Sequence, residues 1–240
     1  MAVLCAAADC DHLDCHGGPF LVVAVGSFNA MTEACVYSSE AGAWSEEITL
    51  GARCITHTLP PIISGGAMYS LCDLNPLRDV VIGRVILRYD FYGEGSLSVI
   101  NRPEVDKKAD TFIVDVDGGM TFAALVDYRL ELWSLVRNTA GVGAYGVAEW
   151  TKFRVIQLQT LLPATATPYS SLHLVGYAKE SDSDVIFVGT NVGLFAIGLN
   201  PPWTRKVREG AHGDDTIFPY LSFFTPDRAV GRLPLSEATE

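Results

Sequence analysis

The sequence predicts an all-β, β-propeller-like fold of four four-stranded antiparallel blades in an incomplete ring. Three observations carry that expectation. Helical periodicity is scarce, and the apolar runs are short, rich in Val, Ile, Leu, Phe and Tyr, and bounded by Gly, Asp, Asn, Pro and Ser. That is the pattern of strands and turns. The strands fall into four groups of four. Within each group the second strand is the most continuously apolar, as suits a strand covered on both faces.

Those second strands begin near Phe20, Ala67, Thr121 and Val185. The intervals contain the insertions "NPLRDVVIG", "RNTAGVGAYGVAE" and "PATATPYSS". Without them the period is roughly 40–50 residues, the range of four-stranded propeller blades. One small sheet cannot bury both of its faces alone, whereas a ring of sheets can. An irregular β-sandwich is the competing architecture, but its strands need not recur in fours.

The β domain is placed at 1–227. The first blade, at about 2–50, comprises "AVLCAAA", "PFLVVAVGS", "EACVYSSE" and "AWSEEITL". The second, at about 58–104, comprises "TLPPIISGG", "AMYSLCD", "RVILRYDF" and "SLSVINRP". The third, at about 110–160, comprises "DTFIVDVDGG", "MTFAALVD", "RLELWSLV" and "WTKFRVIQL". "FRVIQLQTLLP" starts like a strand and stops at Pro163, so it holds at most a short turn of helix. The fourth, at about 172–210, comprises "LHLVGYAKE", "DVIFVGT", "GLFAIGL" and "WTRKVREG". "TIFPYLSFF" at 216–224 reads as one extra strand, and 228–240 as a frayed, flexible tail.

The second strands are expected at 20–26, 67–72, 121–126 and 185–190. Their alternate residues give the core: Val23, Val25, Tyr69, Leu71, Phe122, Ala124, Ile186 and Val188. Paired glycines in "GGPF", "GGAM" and "GGMT" each precede a second strand as turn formers. Trp44, Trp150 and Trp203 open fourth strands, where a large ring packs between blades. Arg205, Lys206 and Arg208 mark a solvated outer edge that discourages pairing with other chains.

Residues that bear chemistry are few. "CDHLDCH" brings Cys10, His12, Cys15 and His16 within seven positions, and thiols with imidazoles suit Zn²⁺. Structural zinc sites usually gather two separated pairs, and no second pair follows. Asp9, Asp11 and Asp14 make the stretch read as an exposed loop between two strands. His57 and His173 have no nucleophile in a catalytic context, and Cys35 and Cys72 sit in strand patterns as small core residues. "GVGAYG" joins two strands, whereas a dinucleotide site needs its glycines between a strand and a helix. No catalytic residue, cofactor or metal ligand is therefore assigned.

Composition narrows the partners. Apolar residues make up 49% of 240 and charged residues 19%, enough for a core and against disorder. The net charge of −11 argues against a nucleic-acid backbone or an anionic membrane as main partner. All six cysteines lie in the first third, and "MAVLCAAADC" has no basic n-region. The expectation is an intracellular protein, cytoplasmic or nuclear, with reduced thiols.

In "AVLCAAADCDHLDCHGGPFLVVAVG", "ACVYSSEAGAWSE", "RVIQLQTLLP", "VIFVGTNVGLFAIGL" and "IFPYLSFFTP" the chain resembles the C-terminal, propeller-like region of plant F-box proteins, in particular the large set found in grasses. The resemblance implies a non-enzymatic module that recruits a protein substrate for an SCF-type ubiquitin ligase. It implies an adaptor partner only where an F-box lies upstream, because no Leu-Pro start with a three-helix pattern occurs in these 240 residues. The other readings are a metal protein or enzyme using the Cys10–His16 loop, and a non-functional gene fragment. Missing early blades would leave an open arc prone to self-association through 216–224.

Overall fold

A computed structural model describes residues 1–7, 18–56, 60–75, 83–91, 95–140, 145–166, 172–179 and 184–210. Those residues are almost entirely β. The first sheet holds β1 (Ala2–Cys5), β2 (Phe20–Phe28), β3 (Met31–Ser38) and β4 (Ala43–Trp44) in that order. β5 (Ile48–Leu50) pairs with the other end of β3, so "AWSEEITL" supplies two short strands where one was expected.

The second sheet is built on β8 (Ala67–Leu74), β9 (Gly83–Asp90) and β10 (Ser96–Asn101). Its first strand is also split: β7 (Ile62–Ser64) pairs with the start of β8, and β6 (Cys54–Thr56) with its end. The third sheet runs β11 (Asp110–Val116), β12 (Gly119–Val126), β13 (Arg129–Ala140) and β14 (Tyr145–Gln157). The fourth runs β15 (His173–Lys179), β16 (Asp184–Thr190), β17 (Gly193–Leu199) and β18 (Pro202–Glu209). All pairing within the four sheets is antiparallel. The second strands start within two residues of their expected positions. The one helical piece among the described residues is a 3-10 turn at Leu158–Thr160.

One segment differs from expectation. Most of "RNTAGVGAYGVAE" is strand: β13 and β14 extend into it, and Tyr145 and Gly146 pair in parallel with Val99 and Ile100 of β10. The ladder joins the second and third sheets edge to edge. Trp150 consequently lies inside β14 instead of opening it.

The strand period of two divides the core between neighbours. Ala123 and Leu125 of β12 face the fourth sheet, packing with Ile186, Val188, Phe195 and Ile197. Phe122 and Ala124 of the same strand face the second, packing with Ala67, Tyr69 and Leu71. β8 repeats the division: Met68, Cys72 and Leu74 face the first sheet, packing with Val23, Ala34 and Leu50, while Ala67, Tyr69 and Leu71 face the third. Each sheet is thus roofed by the next, which is propeller packing. Burying a side chain such as Phe122 contributes about 1.5–3 kcal/mol. Val25 is the exception in the expected core, only partly buried although it packs against both clusters between the first and second sheets. Among the described residues the first sheet shares its core clusters with the second alone and the fourth with the third alone, so these sheets form an arc, not a closed ring.

Candidate functional site

The Cys10, His12, Cys15 and His16 positions lie outside the described residues, as do His57, 216–224 and 228–240. Among the described residues no group of three or more His, Cys, Asp or Glu is arranged to hold a metal ion. Among the described residues Cys5, Cys35, Cys54 and Cys72 are in no disulfide. Cys72 is buried as expected, while Cys35 is only partly so. The Cys54 and Cys72 thiols are hydrogen-bonded to one another in the core, which lowers the pKa of Cys54 and, together with burial, raises that of Cys72. Sealed from solvent, they suit packing better than nucleophilic chemistry.

The tryptophans divide as their surroundings dictate. Trp150 packs on Phe122 with ring centroids 6.0 Å apart, and its Nε1–H donates to the Asn101 carbonyl at 2.8 Å. It therefore seals the second sheet against the third. Trp44 is exposed and leans on Tyr37, with ring centroids 5.5 Å apart. Trp203 covers its cross-strand neighbour Gly198. Lys152 spans Trp133, 4.7 Å from the ring centroid, and reaches the buried Glu131 carboxylate at 2.8 Å.

The most developed surface feature surrounds the β11–β12 turn. Asp117 and Gly118 have φ of 52° and 76°, the left-handed pair that a two-residue Asp-Gly hairpin requires. The turn is tied on both flanks. Ser64 Oγ of the second sheet donates to the Gly118 carbonyl at 2.9 Å, and the Asp117 N–H points at the Asp184 carboxylate of the fourth at 3.4 Å.

Below the tie to the fourth sheet lies a polar seam. The Tyr177 hydroxyl sits between the Asp115 backbone carbonyl and the Asp184 carboxylate, the latter at 2.8 Å. Burial, reinforced by the bond to Asp184, raises the Tyr177 phenol well above its ordinary range and keeps it neutral. Lys179 Nζ donates to Asp115 Oδ2 at 2.9 Å. Asp115 thus holds the Lys179 ammonium, while Asp184 accepts from the Tyr177 hydroxyl.

On the other flank a groove of about 440 Å³ runs between the second and third sheets. Tyr69, Val116, Met120, Leu135 and Phe153 line it, with Asp117 at its rim. Phe153 reaches the groove because of a β-bulge. Leu132 pairs with Arg154 and Trp133 with Lys152, which leaves Phe153 as the extra residue. Bulges re-aim side chains in this way and recur beside functional sites. The Phe153 side chain remains 43% exposed.

The glycine pair of "GGMT" signalled a turn here, one residue later than the Asp117–Gly118 turn observed. The groove and the seam had no local signal, since each is assembled from strands of neighbouring sheets.

The family model described as F-box protein At3g26010-like, beta-propeller, matches residues 20–191, more than half of the chain. None of the curated proteins matches it.

Proposed function

Because the chain belongs to the F-box protein At3g26010-like β-propeller family, we propose that it works as a non-enzymatic module that binds a protein partner. Its role would resemble that of the substrate-recruiting region of an SCF-type ubiquitin ligase receptor. One observation carries the reading. The Asp117–Gly118 tip is anchored to Ser64 on one side and approaches Asp184 on the other, beside an open groove. A loop held by a rigid β scaffold is the usual vehicle of recognition. Joined to an F-box, such a module would bring its partner to the ligase; adaptor docking belongs to the F-box. Such a role would be carried out in the cytoplasm or nucleus, where thiols stay reduced.

The test is capture by the immobilised chain, followed by titration of each captured protein, purified, against the purified chain. An unrelated folded β protein of similar net charge, immobilised in the same way, serves as control. At least one protein is expected to bind wild type saturably at micromolar or tighter affinity and to ignore the control. Capture only of proteins that bind the control equally well would defeat the reading.

A further inference from the structure

The groove beside Asp117 has a composition that narrows what it can hold. Tyr69 of the second sheet and Val116, Met120, Leu135 and Phe153 of the third give it an apolar and aromatic lining, with Thr121 and Ser134 among them. Among the described lining residues Asp117 is the one that carries a charge. That carboxylate is exposed, and its side chain takes part in no ion pair or hydrogen bond recorded among the described residues. Asp184 lies within reach of the Asp117 backbone, and Lys179 is engaged by Asp115. The end of the rim at Asp117 and Asp184 is therefore acidic, in keeping with the chain's net charge of −11, while the Arg154 guanidinium lies 6.0 Å from the Phe153 ring centroid.

We infer that this groove receives an extended segment of a partner protein, taking one aromatic or large aliphatic side chain between Phe153 and Tyr69 while an adjacent Lys or Arg pairs with Asp117. The inference rests on the binding-module reading and adds the site and the partner's chemistry. The volume of about 440 Å³ accommodates one large side chain and the backbone beside it. An apolar anchor in a pocket supplies most of the affinity of such contacts. The rim charge selects the neighbour and speeds encounter. An acidic or uniformly polar segment gains nothing here, because it meets like charge at the rim and leaves the aromatic walls wet.

The proposal is tested with a phage-displayed library of random dodecapeptides panned on the purified chain. Enriched peptides are then synthesised with fluorescein and titrated by anisotropy. Two variants interrogate the site. Asp117→Asn removes the charge but keeps a residue that accepts positive φ, and Phe153→Ala removes an exposed wall. Circular dichroism and melting should match wild type for both.

Enrichment of an aromatic or large aliphatic residue next to Lys or Arg is expected. Phe153→Ala should weaken such a peptide about tenfold. Asp117→Asn should weaken it about threefold to fivefold, as for an exposed ion pair, and added salt should abolish that difference. If Phe153→Ala does not fold, Asp117→Asn with its salt dependence decides alone. Peptides without a basic residue, or affinity unchanged by Asp117→Asn, would overturn the proposal. Peptides that bind both variants as well as wild type would place recognition elsewhere and leave the module reading standing. A library with no binder would remove the groove as a peptide site, while capture of a whole protein would still judge the broader reading.

Discussion

Thr32 of the first sheet accepts the backbone N–H of Cys54 in the second at 2.8 Å, and the same hydroxyl donates to the Ala52 carbonyl at 2.7 Å. The residue is wholly buried. One side chain thus satisfies two backbone groups of the connector between sheets, groups that could not be left unpaired in an apolar core. Thr32→Val keeps the shape and removes the hydroxyl. It should cost about 2 kcal/mol, the penalty for unpaired buried polar groups, read as a lower denaturant midpoint with unchanged slope. A midpoint equal to wild type would mean that the connector is held by other contacts.

Val188 lies in the core shared by the third and fourth sheets, with no exposure. Val188→Asp buries a carboxylate without a partner and should cost several kcal/mol. Loss of soluble expression or of the cooperative melt is the expected outcome. An unaltered melting temperature would contradict the assignment of this strand to the core.

Trp150 acts by both ring and N–H. Trp150→Phe keeps an aromatic ring against Phe122 but removes the donation to the Asn101 carbonyl. The expected loss is about 1 kcal/mol. Trp150→Ala should cost more, and the difference between the two variants measures the packing share.

A Cβ added at Gly198 would lie 2.0 Å from Nε1 of Trp203. Gly198→Ala should therefore displace the ring from the sheet at a cost of about 1–3 kcal/mol, as for other overpacked sites. Calorimetric melting checks this. No change would show that the ring moves aside freely.

Asp110 provides a pH test. Burial raises its carboxyl above the ordinary range, despite donation from the Leu174 N–H at 2.6 Å. A raised folded value means that folding favours the protonated form. Its contribution is present in full below the unfolded value of about 3.9 and is lost as pH rises through the folded value. Asp110→Asn retains an acceptor oxygen without the charge. It should melt higher than wild type at neutral pH, and the advantage should shrink toward pH 4. A difference independent of pH would rule out burial of this charge as its cause.

The fold was legible where its signal was local. The starts of β2, β8, β12 and β16 followed from apolar runs, and the glycine pairs of "GGAM" and "GGMT" marked hairpins in advance, although the third turn is Asp117–Gly118, one residue before the pair in "GGMT". The split strands β4/β5 and β6/β7 were not legible, because each piece is too short to show alternation. Nor was the parallel ladder between Val99–Ile100 and Tyr145–Gly146, since pairing across sheets leaves no mark in either segment alone. The site was hidden for the same reason. Tyr177 meets Asp115, and Ser64 meets Gly118, only after the sheets stack. Phe153 looked like any other strand residue until a register shift turned it toward the groove.

The central claim is that this chain binds a protein and does no chemistry on it. Titration calorimetry of the purified chain with its captured partner, run with and without a chelator, tests that claim most directly. One-to-one saturable binding, unchanged by the chelator and with both proteins recovered intact by mass spectrometry, is the predicted result. Binding that disappears on chelation would instead favour a metal held by Cys10, His12, Cys15 and His16, and a covalently altered partner would make the chain an enzyme.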